Sequence, residues 1–126
     1  MDREKTVLFI EDDPDQQKMY SFVFKRAGVR FLQAQNGEDG IKIAEREKPD
    51  VILLDILMNG IDGVDTLERM KQNPNIPKTT AIIIFTNYTK EDVLKRAENL
   101  GAIEIIIKTD VVPSELVDRI RKKYLK

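Results

Sequence analysis

Five short runs of apolar residues recur along the chain. Four of them consist almost entirely of Val, Ile, Leu and Phe, which is typical of strands that are covered on both faces of a sheet. The run at residues 30–35 is more polar and is therefore predicted to form an edge strand. The predicted strands are residues 6–10, 30–35, 51–54, 81–85 and 103–107.

The first segment between these runs has the end signals of a helix. Asp13 precedes Pro14, and aspartate is a good N-cap while proline suits the first helical position. Gly28 marks the end of this helix. The residues predicted to face the core are Met19, Phe22 and Val23.

Four more helices are predicted. Two cover residues 36–47 and 62–71. The next begins at Thr89, which with Asp92 forms a pattern similar to a capping box. The last begins at Pro113, and its apolar residues recur at helical spacing.

Strict alternation of strands and helices indicates an α/β fold with a parallel sheet, right-handed crossovers and helices on both faces. In such a doubly wound sheet, ligands bind at the carboxyl ends of the strands, where the strand order reverses. The residues that follow each predicted strand are therefore the first candidates for a functional site.

Composition narrows the class of protein. The chain has 126 residues, enough for one domain, and 21 basic and 22 acidic residues give a net charge of −1. This balance does not favour nucleic acid or an anionic membrane as a partner. The chain has no cysteine, no stretch resembling a signal peptide and no apolar run of about 20 residues, so we expect a cytoplasmic location.

Polar residues follow four of the five predicted strands: Asp12 and Asp13, Asp55, Thr86, and Lys108. Three carboxylates at one edge repel one another by about 4 kcal/mol per pair at 4 Å, so the cluster needs a cation. Oxygen ligands without histidine or cysteine favour a hard ion such as Mg²⁺. A lysine and a hydroxyl at the same edge suit an incoming phosphoryl group.

Four motifs together resemble the receiver domain of two-component response regulators, of the single-domain type similar to chemotaxis regulators. They are EDD after the first strand, LLDILMNGIDG at residues 53–63, IIIFTN at 82–87 and IEIIIK at 103–108. The resemblance covers residues 1–126 and implies a three-layer, flavodoxin-like fold of five βα units with strand order 2-1-3-4-5.

The resemblance also implies roles for individual residues. Asp55 is expected to accept a phosphoryl group from a phosphohistidine, Lys108 to pair with that group, and Thr86 to move towards it. The absence of histidine in this chain agrees with a donor on another protein. The implied ligands of Mg²⁺ are Asp12, Asp13, Asp55 and the backbone carbonyl of Leu57.

The expected partners are proteins. The donor is expected to be a sensor histidine kinase or a phosphotransfer protein. Because the sequence ends with the fifth helix, we expect no output domain, and a downstream protein is expected to read the face between the fourth and fifth helices. Direct contact with nucleic acid or membrane is not expected.

The sequence departs from the family pattern at several positions. Asn59 and Thr109 stand where the family usually has proline, and a cis peptide before a non-proline residue costs about 2.5–4 kcal/mol, so we expect a trans Lys108–Thr109 bond. Ile105 replaces the usual aromatic switch residue. The bulky Leu57 and Tyr88 occupy positions that flank the path of a hydrolytic water, which predicts slow loss of the phosphoryl group.

Other interpretations remain. Asp13 alone is best explained as an N-cap, and Asp55, Thr86 and Lys108 are common residue types at strand ends. A Mg²⁺-dependent phosphatase with an aspartyl nucleophile is a second hypothesis, but such enzymes usually have a second aspartate where this chain has Leu57. A receiver that has lost phosphorylation and binds its partner constitutively is a third.

Overall fold

The structure, a computed structural model, describes residues 4–126 as a five-stranded parallel sheet between two layers of helices. A turn of 3₁₀ helix, Lys108–Asp110, precedes the last helix. The strands and helices in chain order are β1 (Thr6–Ile10), α1 (Pro14–Arg26), β2 (Arg30–Ala34), α2 (Gly37–Glu47), β3 (Val51–Leu54), α3 (Gly63–Gln72), β4 (Ala81–Thr86), α4 (Glu91–Asn99), β5 (Glu104–Ile107) and α5 (Pro113–Tyr124).

The strand order is β2-β1-β3-β4-β5, and every pair of neighbouring strands is parallel. This order confirms the predicted flavodoxin-like topology. β1, β3 and β4 are buried along their whole length, as continuous apolar strands inside a sheet should be. β2 alternates between exposed and buried positions and lies at an edge, as predicted.

Each face of the sheet has its own hydrophobic core. On one face, Phe9 and Phe85 of the sheet pack with Tyr20 of α1 and with Leu116 of α5. Residues of the opposite face pack against α2, α3 and α4. The Phe9, Tyr20 and Phe85 rings lie 5.4–5.9 Å apart, within the range of favourable aromatic contacts. The sheet is thereby fixed between two helical layers.

The prediction for the buried face of α1 is wrong at two positions. Met19 and Phe22 are 42% and 60% exposed, and Val23 is half-buried against the core. The helix instead buries four residues of mixed polarity, because its inner face also forms hydrogen bonds with backbone carbonyls of the sheet. These residues are Gln17, Tyr20, Ser21 and Phe24.

The buried amide of Gln17 explains why a polar residue occupies this inner face. Its Nε2 lies 2.9, 3.1 and 3.0 Å from the carbonyl oxygens of Phe9, Glu11 and Ala34. These carbonyls lie near the ends of β1 and β2, where the Ala34 carbonyl also accepts from the amide of Glu11 at 3.0 Å. Gln17 therefore stabilises the end of the sheet next to the candidate site.

Side chains cap three of the helices, the first of them at Asp13 as the sequence indicates. Asp13, Asn36 and Asp62 each accept a hydrogen bond from a backbone amide in the first turn of α1, α2 and α3. The predicted start of the fourth helix at Thr89 is wrong, since α4 begins at Glu91 and the side chain of its N-cap residue, Lys90, forms no capping bond. Within residues 4–126, no helix has the length and apolar character needed to cross a membrane.

Gly63 fixes the loop after β3 against the start of α3. Its amide donates to the carbonyl of Ile56 at 2.8 Å. A Cβ at this position would lie 2.0 Å from the carbonyl oxygen of Asp55, a distance that no side chain permits. Glycine is therefore required here by the close approach of two backbone segments, and that approach holds the loop in place.

Candidate functional site

The register of the sheet brings one acidic pair together. Ile10 of β1 pairs with Leu54 of β3, so the next residues, Glu11 and Asp55, lie side by side at the carboxyl edge. Thr86 ends β4, and Lys108 follows β5 directly. The predicted convergence at this edge is thus realised for Asp55, Thr86 and Lys108, and Glu11 joins them.

The ammonium group of Lys108 lies at the centre of this site. Its Nζ donates to Asp55 Oδ2 at 2.9 Å, to Gln16 Oε1 at 2.7 Å and to the carboxyl group of Glu11. The ring of Phe85 lies below it, with its centroid 5.7 Å from Nζ. An ammonium has three N–H donors, so the bonding capacity of this group is filled.

Asp55 is an ionised carboxylate in a mostly buried position. The residue is 7% exposed, and its Oδ1 accepts a hydrogen bond from the amide of Ile56 at 2.7 Å. Burial raises its pKa, but hydrogen bonds from Glu11, Thr86 and Lys108 outweigh that effect and hold the pKa below its ordinary value. The oxygens of Asp55 are therefore charged and available as a nucleophile at neutral pH.

Glu11 has the opposite electrostatic character. Burial, followed by its contact with Asp55, raises its pKa to about 7, although Lys108 opposes the shift. Burial alone would lower the pKa of Lys108, but the two carboxyl groups raise it, so the ammonium remains charged. Near neutral pH the site therefore contains the ionised carboxylate of Asp55, the ammonium of Lys108 and the partly protonated carboxyl group of Glu11.

The two predicted acidic neighbours have different surroundings. Asp13 Oδ1 accepts from the amides of Asp15 and Gln16 at 2.9 and 3.4 Å, and Oδ2 accepts from Gln16 Nε2 at 3.3 Å. The backbone bond from Asp15 is the main cause of its lowered pKa. Asp12 Oδ2 instead accepts from the amide of Asn59, at 3.1 Å, in the loop after β3. Asp13 thus caps helix α1, whereas Asp12 accepts a hydrogen bond from the loop after β3 that begins at Asp55.

Thr86 and Tyr88 connect the site to the β4–α4 loop. Thr86 is buried, and its Oγ1 accepts a hydrogen bond from the amide of Tyr88 at 3.0 Å. The side chains of Tyr88 and Ile105 are both half-buried against the core on the α4 side of the sheet. Leu57, by contrast, is 59% exposed. The apolar residues near the site therefore differ in how firmly they are held.

The peptide bond between Lys108 and Thr109 is trans, as expected, and residues 4–126 contain no cis peptide bond. The amide of Thr109 donates to Asn87 Oδ1 at 3.1 Å. Proline at this position would have no N–H for that bond. The departure from the family pattern thus creates a link between the loops after β4 and β5.

Two residues of the site were not identified from the sequence. Glu11 follows its strand as directly as Asp55 follows β3, and that equivalence was the signal that could have identified it. Gln16 contacts Lys108 from the first turn of α1, and no sequence pattern indicates a contact between residues so far apart. In the described part of the chain, no three acidic side chains lie close enough together to surround a metal ion.

Comparison with known proteins identifies the family and agrees with the fold. The sequence model of the response regulator receiver domain matches residues 7–121. The chain is 33% identical to sporulation initiation phosphotransferase F of Bacillus subtilis over 119 residues, which is 94% of this chain and 92% of that protein.

Two solved structures have the same fold. Chemotaxis protein CheY4 of Vibrio cholerae superposes with a TM-score of 0.85 at 22% identity, over 95% of this chain and 98% of that one. A CheY-like receiver domain protein from Methanospirillum hungatei has a TM-score of 0.85 at 24% identity, over 96% of this chain and 94% of its own. At these identities the superpositions establish the fold alone.

Fold and site together define a phospho-acceptor signalling domain. The chain belongs to the response regulator receiver domain family of two-component systems. Receiver domains in such systems interact with histidine kinases or phosphotransfer proteins.

The raised pKa of Glu11 predicts how stability depends on pH. A carboxyl group whose pKa is higher in the folded state stabilises the fold below its ordinary value of 4.5, and this contribution is lost as the pH rises through about 7. With EDTA present, the stability of the wild type should therefore fall between pH 5 and pH 8 relative to Glu11→Gln. Urea unfolding at several pH values measures the difference.

The chain has no histidine, so no other side chain with an ordinary pKa titrates in this range. A carboxyl carbon resonance that titrates near pH 7 in the wild type and is missing in Glu11→Gln should accompany the stability change. Parallel stability curves for the two proteins would show that Glu11 is ionised throughout this range.

Proposed function

We propose that Asp55 accepts a phosphoryl group from a phosphohistidine of a partner protein, and that this reaction changes a surface which a second protein reads. The observation that supports this proposal is the Asp55 carboxylate at the edge of the sheet, kept ionised and 2.9 Å from the ammonium of Lys108. The name of the similar protein from B. subtilis, a phosphotransferase, agrees with such chemistry.

The proposed reaction is a displacement at phosphorus. An oxygen of Asp55 forms the new O–P bond while the P–N bond of the phosphohistidine breaks, and the imidazole nitrogen leaves with the bonding electrons. Lys108 stabilises the negative charge on the phosphoryl oxygens, because its ammonium is buried beside the nucleophile and cannot be neutralised near pH 7.

The oxygen donors at this edge are of the kind that Mg²⁺ takes, and Mg²⁺ binding is general in this family, although no three acidic side chains surround a metal ion in the described part of the structure. Carboxylate and carbonyl oxygens suit a hard cation, and the Lys108 ammonium already lies as a cation between Glu11 and Asp55. When bound, Mg²⁺ neutralises negative charge that otherwise opposes the approach of a phosphoryl anion. The residues proposed to hold it are Asp12, Asp55 and the carbonyl of Leu57, with Glu11 in the place predicted for Asp13, because the register of β1 and β3 puts Glu11 rather than Asp13 beside Asp55.

Phosphorylation is proposed to change the structure on the side of the site that contains α4, β5 and α5. The loop after β3 is held on its other side by the contact between Gly63 and Asp55. The hydroxyl of Thr86 accepts from the Tyr88 amide and donates to Asp55, and it is proposed to donate to a phosphoryl oxygen instead of to Asp55. Rotation of the side chain towards that oxygen would release the Tyr88 amide at the start of the β4–α4 loop. The face between α4 and α5 is therefore the proposed binding surface for the downstream protein.

Asp55 is predicted to be the sole acceptor. Acetyl phosphate with Mg²⁺ should add one phosphoryl group to the wild type and none to Asp55→Ala, since the alanine has no nucleophile. Intact-protein mass spectrometry measures the added mass, and EDTA should abolish it. Equal labelling of Asp55→Ala would contradict the assignment, and steady release of phosphate from excess donor would favour a phosphatase.

Asp12 and Asp13 form a matched pair for testing the metal ligands. Asp12→Asn should weaken Mg²⁺ binding about tenfold, because a charged ligand becomes neutral. Asp13→Asn should have little effect, since asparagine also caps a helix and the oxygens of Asp13 face α1. Titration with Mg²⁺ followed by NMR compares the two. A larger loss in Asp13→Asn would restore Asp13 as the ligand.

Loss of the phosphoryl group is proposed to be slow. Hydrolysis needs a water in line with the phosphorus, and a polar side chain to orient it. At the two flanking positions this chain has Leu57 and Tyr88, which have no carboxylate or amide group. Leu57 is mostly exposed, whereas Tyr88 is half-buried near the site, so Tyr88 has the better position to exclude water.

Polar replacements at these positions should shorten the lifetime of the phosphorylated state. Leu57→Asn and Tyr88→Glu should each speed the decay about tenfold, because each supplies a group that orients water. Tyr88→Phe is the control for the ring itself and should decay like the wild type. The measurement is the mass of the phosphorylated protein over time after the donor is removed. Unchanged decay in both polar variants would mean that these side chains do not shield the phosphorus.

A further inference from the structure

Gln16 connects the first turn of α1 to the ammonium of Lys108. Its Oε1 accepts from Lys108 Nζ at 2.7 Å, and its Nε2 donates to Asp13 Oδ2 at 3.3 Å. Its backbone amide also donates to Asp13 Oδ1, at 3.4 Å. Asp13 accepts only, so it selects the orientation of the Gln16 amide in which the oxygen faces the lysine.

We propose that Gln16 is a positioning residue that holds the Lys108 ammonium at Asp55 during phosphoryl transfer. This proposal rests on the proposed function of the site. Of the three partners of the ammonium, Glu11 and Asp55 are carboxyl groups that must also serve the cation and the phosphoryl group. Gln16 is the neutral partner, and nothing in the proposed reaction requires it to release the lysine.

A lysine at this position needs such a partner. Its side chain has four flexible methylene groups and loses much rotamer freedom when it is fixed. Electrostatic stabilisation of a phosphoryl group depends on a charge that is already in place before the reaction. The ring of Phe85 restricts Lys108 from below, and Gln16 supplies a directional bond from a helix that is itself capped by Asp13.

The test compares substitutions that keep or remove the acceptor. Gln16→Met keeps the length and helix propensity of the side chain but cannot accept the bond. Gln16→Glu keeps an oxygen acceptor. Gln33→Met, at an exposed position of β2, is the control for the same change elsewhere.

The first measurement is the rate of labelling by acetyl phosphate at saturating Mg²⁺. Gln16→Met should be labelled about tenfold more slowly than the wild type, as expected for loss of a hydrogen bond to a charged group. Its Mg²⁺ affinity should remain within about twofold, since Gln16 is not a proposed ligand. Gln16→Glu should recover most of the rate, and Gln33→Met should behave as the wild type. Wild-type labelling rates in Gln16→Met would overturn the proposal.

The second measurement does not depend on phosphorylation. A buried, hydrogen-bonded ammonium gives a slowly exchanging NMR signal, which Lys108→Arg identifies by its loss. In metal-free protein this signal should broaden or shift in Gln16→Met and stay unchanged in Gln33→Met. An unchanged signal in Gln16→Met would disprove the positioning role, whereas a wild type that is never labelled would disprove the proposed function instead.

Discussion

The burial of one ammonium group between two carboxyl groups is the interaction on which the carboxyl edge of this sheet depends. Lys108 is the shared partner of Glu11 and Asp55, which belong to adjacent strand ends. Removing one member of a buried pair costs about 3–5 kcal/mol because the remaining charge has no compensation. The same contact therefore closes the fold at this edge and creates the electrostatic conditions for chemistry at Asp55.

Much of the fold could be predicted because apolar runs and helix caps are local signals. Four continuous apolar strands and the alternating helices predict a parallel sheet, and Asp13 followed by Pro14 predicts the start of the first helix to the residue. The inner face of α1 could not be predicted in the same way, since Gln17 is buried for its bonds to strand-end carbonyls, which no hydrophobic pattern contains. The same hydrophobic pattern wrongly predicted that Phe22, which is exposed, faces the core.

The sequence predicts those residues of the site that lie at the carboxyl ends of strands. Asp55 and Lys108 directly follow β3 and β5, Thr86 is the last residue of β4, and parallel topology brings such positions to one edge. Which of these side chains contact one another depends on the register of the strands and on the direction of each side chain. Ile10 pairs with Leu54, so Glu11 rather than Asp13 lies beside Asp55, and two aspartates adjacent in sequence end up serving different parts of the structure.

The hydrogen bond from the Thr109 amide to Asn87 stabilises the arrangement in which the loops after β4 and β5 are joined. A typical hydrogen bond of this kind contributes about 1 kcal/mol net, a factor of about five in an equilibrium constant. The bond therefore favours the arrangement in which the two loops are joined by about that factor over a chain that lacks it. A receiver with proline at this position has no N–H for that bond, so a single backbone amide links the loops after β4 and β5 in this chain in a way that proline forbids.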